Sequence, residues 1–328
     1  MDGVLVIDKP QGITSHDVVA TARRALAEPR IGHTGTLDPL ATGVLPLAVG
    51  RATRLARFLT ASDKDYLATI RFGVTTDSYD ITGAETGRSG QVPTRDAIRD
   101  AVQRLTGDYL QAPPAFSAKK VEGRRAYALA RREQAVTLAP VPVRVARADL
   151  VDAAGACATV ALTCSAGFYV RSFAHSLGEL TGAGACLEAL RRTRSGEFGL
   201  DRALSPDALQ DKARVAASLV PLAGVLGRFP AVTVTDRGRA HVLHGRDLGP
   251  DDVSVPGDGM PAFARRVASR PDIPALPGRS ASADRPRRGT PSPSEPVWIR
   301  LMDGTGALVA LATAGKAPGS LHPAVVLI

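Results

Sequence analysis

Residues 249–296 set the first limit on what this chain can fold into. The stretch holds 10 Pro in 48 residues, with seven Arg against five Asp and one Glu. It carries no apolar periodicity. Too little apolar surface is available to offset the entropy of ordering it, so it is expected to be disordered. The 328-residue chain therefore divides. Residues 1–228 read as one compact unit, and residues 229–248 and 297–328 as the halves of a small β-rich domain that the segment interrupts. The segment is nearly neutral, at net +1, so +8 of the chain's net +9 belongs to the folded parts.

A positive excess of that size suits a polyanion, or an anionic membrane surface. Hydrophobic residues make up 44% of the chain, which excludes global disorder. No apolar run approaches about eighteen residues, against a membrane span. The start, MDGVLVIDKPQG, has acidic Asp2 and Asp8 and no basic segment ahead of an apolar stretch, unlike a secretory signal. Cys157, Cys164 and Cys186 form neither a disulfide framework nor a Cys-x-x-Cys zinc site, and core packing is their expected role. These features point to a soluble, cytoplasmic protein in a reducing compartment.

Within residues 1–228 the periodicities alternate. Residues 3–8 form a short apolar strand. Thr14 or Ser15 can cap a helix with the stripe Val18, Val19, Ala22 and Leu26. Residues 52–60 read as helical. Residues 64–72 alternate as a strand, with Tyr66, Ala68, Ile70 and Phe72 on one face. A helix over 95–105, strands over 141–150 and 157–164, and a helix over 168–180 follow. Without a regular βαβ beat, this mixture predicts an α+β fold with a mixed, largely antiparallel sheet flanked by helices. No Gly-x-Gly-x-x-Gly follows a strand and no Walker loop occurs, so no nucleotide cofactor is indicated.

Residues 32–43, GHTGTLDPLATG, are the most unusual segment. Three Gly, three Thr, one His, one Asp and one Pro lie between apolar elements. Pro39 restrains Asp38 to an extended conformation, which puts a short carboxylate on a stiff platform. Such a group can serve as a nucleophile or a general base. It can equally close an Asx turn, and His33 can be a plain hydrogen-bonding loop residue.

GVLVIDKPQGITSHD and GHTGTLDPLATGVLPLAVGRATRL resemble the TruB family, the bacterial tRNA pseudouridine-55 synthases. The resemblance continues through KDYLATIRFGVTTDSYDITG, PPAFSAKKVEGRRAYALAR, CSAGFYVRSFAHSLG and LRRTRSG, in the family's order over nearly all of residues 3–196. It implies a pseudouridine-synthase-like catalytic domain over 1–228 and a PUA-like RNA-binding β domain over 229–328, interrupted by the segment 249–296. It implies isomerisation of uridine to pseudouridine in the T loop of tRNA, with no cofactor and no metal, by a monomer. Asp38 would be the catalytic carboxylate, Arg171 its partner, and Tyr66 the ring that stacks on the extruded uracil. His33, Tyr169 and Leu190 match substrate-contacting positions. Lys9, beside Pro10 in the family's Lys-Pro motif, supports the active-site loop and is counted with the RNA-contacting residues.

Taken alone, Arg171 falls off the apolar stripe of its helix and reads as a solvated charge, and Tyr66 reads as a core residue. The doublets Arg23-Arg24, Lys119-Lys120, Arg124-Arg125, Arg131-Arg132 and Arg191-Arg192 fit a tRNA backbone, and Lys119, Lys120, Arg124 and Arg125 match an insertion that grips the T-arm. Asp77 and Asp80 read as turn and loop residues. Two other functions compete. One is a non-catalytic tRNA-binding or folding factor, which has no need for Asp38. The other is a glycosidase-like hydrolase, which needs a second positioned acid from Asp77 or Asp80.

Overall fold

A computed structural model of the protein describes residues 1–114, 138–254 and 296–328 in full, and the backbone alone of 120–121 and 124–125. Lys119 and the doublet Arg131-Arg132 lie outside the described residues, as does 255–295 of the segment expected to be disordered. The chain forms two compact units, Met1–Leu219 and Val220–Ile328. The division falls ahead of residue 228, although Val215 still belongs to the first unit's core.

In chain order the first unit contains β1 (Gly3–Lys9), α1 (Ser15–Leu26), β2 (Ile31–His33), β3 (Thr42–Val49), α2 (Ala56–Thr60), β4 (Lys64–Phe72), β5 (Val74–Thr76), β6 (Glu85–Arg88), α3 (Arg95–Arg104), β7 (Gly107–Gln111), β8 (Lys120–Val121), β9 (Arg124–Arg125), β10 (Val141–Ala154), β11 (Cys157–Cys164), α4 (Val170–Thr181), β12 (Ala185–Ser195), β13 (Phe198–Gly199) and α5 (Lys212–Ser218). The main sheet runs β1-β3-β12-β4-β11-β10-β7, with β2 on β3 and β13 on β12. Among the described strand pairs of this unit's main sheet, β12 with β3 is parallel and the others are antiparallel. The fold is thus α+β with a mixed, largely antiparallel sheet.

Side-chain patterning explains how these elements pack. Along β4, Tyr66, Ala68, Ile70 and Phe72 are buried while Leu67 between them is exposed. Thr14 caps α1 in a box with Asp17, satisfying end amides that would otherwise be orphaned. The stripes of α1 (Val18, Val19, Ala22), α3 (Ile98, Ala101, Val102) and α4 (Val170, Phe173, Ala174, Leu177) meet the sheet in one core. Each large apolar side chain removed from water there contributes about 1.5–3 kcal/mol. At the start of β3, Gly43 has φ +102° and faces the β12 backbone; a Cβ there would lie 2.1 Å from the Arg192 carbonyl oxygen. That approach brings β12 in beside β3.

The second unit contains β14 (Val220–Pro221), β15 (Ala231–Val234), α6 (Asp236–Leu243), β16 (Val253–Ser254), β17 (Ile299–Met302), β18 (Leu308–Ala314) and β19 (Leu321–Val326). Its sheet runs β16-β15-β17-β18-β19 over a core that includes Val232, Val234, Val242, Ile299, Leu301 and Val309. The expectation of disorder from residue 249 fails at its first residues. Pro250–Asp252 form a 3-10 turn, and β16 pairs with β15. Polar partners order this turn without any apolar stripe. The buried Asp252 carboxylate accepts from the Gly249 amide at 2.8 Å, lies 3.1 Å from His241 Nδ1, and pairs with Arg237 Nε at 2.9 Å.

Candidate active site

The loop that joins β2 to β3 carries Asp38, and most of its backbone is bonded. The Thr34 amide donates to the Pro46 carbonyl at 3.0 Å, the Gly12 amide to the Pro39 carbonyl at 2.8 Å, and the Ala41 amide to the Asp38 carbonyl at 3.0 Å. Buried Ser15, the first residue of α1, accepts from the Leu37 amide at 2.8 Å and donates to the Leu37 carbonyl at 3.0 Å. From β12, Arg192 donates through Nε to the Val44 carbonyl at 2.6 Å and through Nη2 to the Gly35 carbonyl at 3.0 Å. Each such bond contributes about 1 kcal/mol net, and together they fix the peptides on either side of Asp38.

Arg171 meets that carboxylate from the first turn of α4. Its Nε lies 2.9 Å from Asp38 Oδ2; the Arg171 side chain is 10% exposed and that of Asp38 44%. The guanidinium is therefore enclosed, while the carboxylate stays open to an incoming group. Arg171 Nη1 donates to the Ser78 carbonyl at 3.0 Å and lies 3.6 Å from Asp80 Oδ2. The N-terminus of α4 is itself anchored. The buried Gln111 side chain donates to the Tyr169 carbonyl at 3.0 Å and accepts from the Tyr169 amide at 2.8 Å, and Ser172 Oγ donates to the Ala112 carbonyl at 2.7 Å. Arg171 is thus a buried, clamped residue rather than a solvated charge. A planar guanidinium held in this way fixes the orientation of the carboxylate it faces.

Asp80 combines the turn role read from its sequence with a second one. Its Oδ1 accepts from the amide and hydroxyl of Thr82, closing an Asx turn, and its Oδ2 faces Arg171. Beside it Tyr79 has φ +63°, a left-handed conformation, and its ring stacks on His175 with centroids 4.0 Å apart. Sequence reasoning brings Asp80 to the site only as the second acid of a hydrolase, and does not place Ser78 there. The polar run TTDSYD carries ordinary turn signals, and nothing in its spacing points to an arginine 91 residues downstream of Asp80. Asp77 remains a loop residue, accepting from the Ala84 amide.

Tyr66 reaches the same centre from β4 and is buried. Burial pushes its phenol up from the ordinary range. The Arg192 charge pulls the other way, and Asp38 is close enough for its charge to be felt. His33 is half-buried at the end of β2; burial pushes its imidazole down, and the Arg192 and His16 charges add to that. Lys9 is enclosed, donating to the Pro10 and Ile13 carbonyls at 2.9 and 2.7 Å. That geometry supports the loop after β1 and does not offer an ammonium to a phosphate. Leu190 packs against the main core, and Tyr169 stands at the N-cap position of α4 without a side-chain cap bond.

The basic doublets fare unevenly. Arg191 pairs with Asp8 at 2.8 Å and stays partly exposed, whereas Arg192 is buried and turned away from any phosphate. Arg23 donates to the Ile31 carbonyl. Lys120, Arg124 and Arg125 lie in the short strands β8 and β9, which pair antiparallel with Lys120 opposite Arg125. Among the described residues no His, Cys, Asp and Glu cluster has the makings of a metal site.

The model of the TruB family pseudouridylate synthase N-terminal domain matches residues 23–170. The tRNA pseudouridine synthase B of Solibacter usitatus (strain Ellin6076) is 41% identical over 331 residues, covering 100% of both chains. That of Symbiobacterium thermophilum is 48% identical over 251 residues, covering 75% of this chain and 82% of the relative. In fold the chain is similar to a chain of an H/ACA RNP bound to a substrate RNA containing 2'-deoxyuridine, with a TM-score of 0.68 at 24% identity, over 99% of this chain and 85% of that one. Identity of this order along the whole length places the protein among the enzymes of the TruB family of pseudouridylate synthases.

Proposed function

We propose that the protein isomerises uridine 55, in the T loop of tRNA, to pseudouridine without a cofactor. The Asp38–Arg171 pair carries this reading, because a fixed and half-open carboxylate is what detaching uracil from ribose requires. The target uridine leaves its stack, and Tyr66 supplies the face on which its base lies. Asp38 then attacks the sugar C1′, adds to uracil C6, or takes a proton from C2′. The base turns and rejoins through carbon, and the Tyr66 hydroxyl assists loss of the C5 proton. His33 stacks in the space the flipped nucleotide vacates, Leu190 is an apolar wall of the pocket it enters, and Tyr169 contacts the substrate. The second unit, read as a PUA-like domain, and the basic residues Lys119, Lys120, Arg124 and Arg125 hold the T-arm through its phosphates. The protein acts as a cytoplasmic monomer. Among the described residues no helix is long and apolar enough to cross a membrane.

The competing functions fit the geometry less well. A tRNA-binding factor has no use for a buried arginine aimed at an open carboxylate. A glycosidase-like hydrolase needs a second acid free to donate a proton. Asp80 is held by Thr82 and Arg171, and Asp77 accepts from a loop amide. The test is Asp38→Asn, assayed by tritium release from tRNA carrying 5-labelled uridine under single-turnover conditions. We expect tRNA binding and melting temperature to stay near those of the wild type while turnover falls at least about 1,000-fold. Substantial residual activity would remove Asp38 from the catalytic role.

A further inference from the structure

We propose that Arg192 is a positioning residue of the catalytic centre: one buried arginine of β12 holds the Asp38 loop and sets it in register with Tyr66. The inference rests on the roles of Asp38 and Tyr66 proposed above. Its starting point is the register of β12, which lies between β3 and β4. On one side Arg192 is the direct partner of Gly43, at the end of the Asp38 loop. On the other it is the partner of Tyr66. No other residue of β12 has both neighbours in the site.

The side chain follows the same plan. It is 1% exposed and forms no ion pair with a carboxylate among the described residues. Its bonds go to the Gly35 and Val44 carbonyls, which bracket the loop, and across β4 its direct strand partner is Tyr66. A buried cation satisfied only by neutral acceptors is expensive, and an apolar residue of similar volume would join β12 to β3 at lower cost. Fold stability alone therefore does not account for an arginine here. What it adds is geometry and charge. It sets Asp38 and Tyr66 in one frame, because a shift of β12 moves both together. It also places a fixed positive charge in the pocket, alongside an Arg171 whose own charge already faces Asp38 and Asp80. The influence of that charge extends to His33 and Lys9, whose proton affinities it lowers. Uracil cut from its ribose carries negative charge, and an unpaired cation behind the stacking tyrosine favours that state.

The experiment compares Arg192→Lys and Arg192→Met with wild type in the full chain. It reads single-turnover pseudouridine formation at saturating tRNA, tRNA affinity, and the His33 titration by NMR, assigned with His33→Gln. For Arg192→Met we expect the rate to fall about 100-fold with affinity within about threefold, because misplacement of reacting groups by about 1 Å costs that much. Arg192→Lys, which keeps the charge but not the planar fork, should fall between. The His33 titration should move up in Arg192→Met and stay in place in Arg192→Lys. A role in packing alone would not produce that difference. A folded variant with wild-type rate would overturn the proposal. So would a rate loss matched by loss of folded protein with His33 unmoved, or failure of both variants to fold. If the wild type forms no pseudouridine, the reading of the reaction fails instead, and the His33 titration alone decides whether the cation acts on the pocket.

Discussion

The Lys9 ammonium has no solvent exposure, and burial lowers it to about 8, with the Asp38 carboxylate opposing the shift. The consequence for stability has a definite sign. Between about pH 8 and 10.5 the unfolded chain still holds this proton while the folded chain has released it, so stability gains from Lys9 as pH rises through that window. Urea unfolding at several pH values should show the rise in the wild type relative to Lys9→Met, by up to about 3 kcal/mol in all. A difference that stays flat with pH would mean the ammonium is not desolvated. At this scale legibility depends on the residue. Composition leaves Asp38 as a turn residue and Arg171 as a surface charge, and only the order of motifs marks them. The reason is physical. The carboxylate of a β-loop meets a guanidinium from a helix 133 residues later, and no local periodicity encodes that meeting. Ser15 reads in the sequence only as a helix cap; its clamp on Leu37 is equally long-range.

Among elements, helices α1, α3 and α4 are readable because each has an apolar stripe of helical period facing a single core. Strand β12 is not. Its sequence, ACLEALRRTRS, ends in charges that resemble a solvated surface, yet it lies within the main sheet. Cross-strand pairs reconcile the two. Arg194 binds Asp65 of β4 at 2.6 and 2.8 Å, Arg191 binds Asp8 of β1, and Glu188 accepts from Arg71 of β4. Charges matched across a sheet hide a strand from any period-two pattern. The junction of β12 with β3 depends on Gly43, and Gly43→Ala meets both a forbidden backbone angle and the β12 carbonyl. It should cost more than about 2 kcal/mol by thermal unfolding. Gly155→Ala is the control: it has φ +55° with nothing within 4 Å of the new Cβ, and it should cost about 1 kcal/mol. Equal losses would show that β12 tolerates a wider spacing.

Over the whole molecule, the division into two units and the return of the chain to one sheet across the proline-rich segment are legible from composition. The edge of that segment is not, because Asp252 orders the turn at 250–252 through polar contacts that a search for apolar stripes passes over. Two deletions separate these views. Removing 250–295 takes the turn and β16 away, whereas removing 256–294 spares both. The first should lower the melting temperature more than the second. Equal effects would mean that the β16 pairing adds nothing to the second unit. In the first unit the same reasoning turns on the Asp38 loop. Functional loops usually exchange their amide hydrogens quickly, since they open at little cost. Here the amides of Thr34, Leu37 and Ala41 are bonded, and the peptides around them are tied to the turn before α1 and to β12. The loop cannot open without parting two elements of the core. In hydrogen–deuterium exchange the Leu37 amide should therefore be among the slow ones, protected on the timescale of unit-wide unfolding, and Ser15→Ala should release it alone. The site then varies little in shape on the timescale of a turnover, and the RNA is left to supply the motion that brings its base to Asp38.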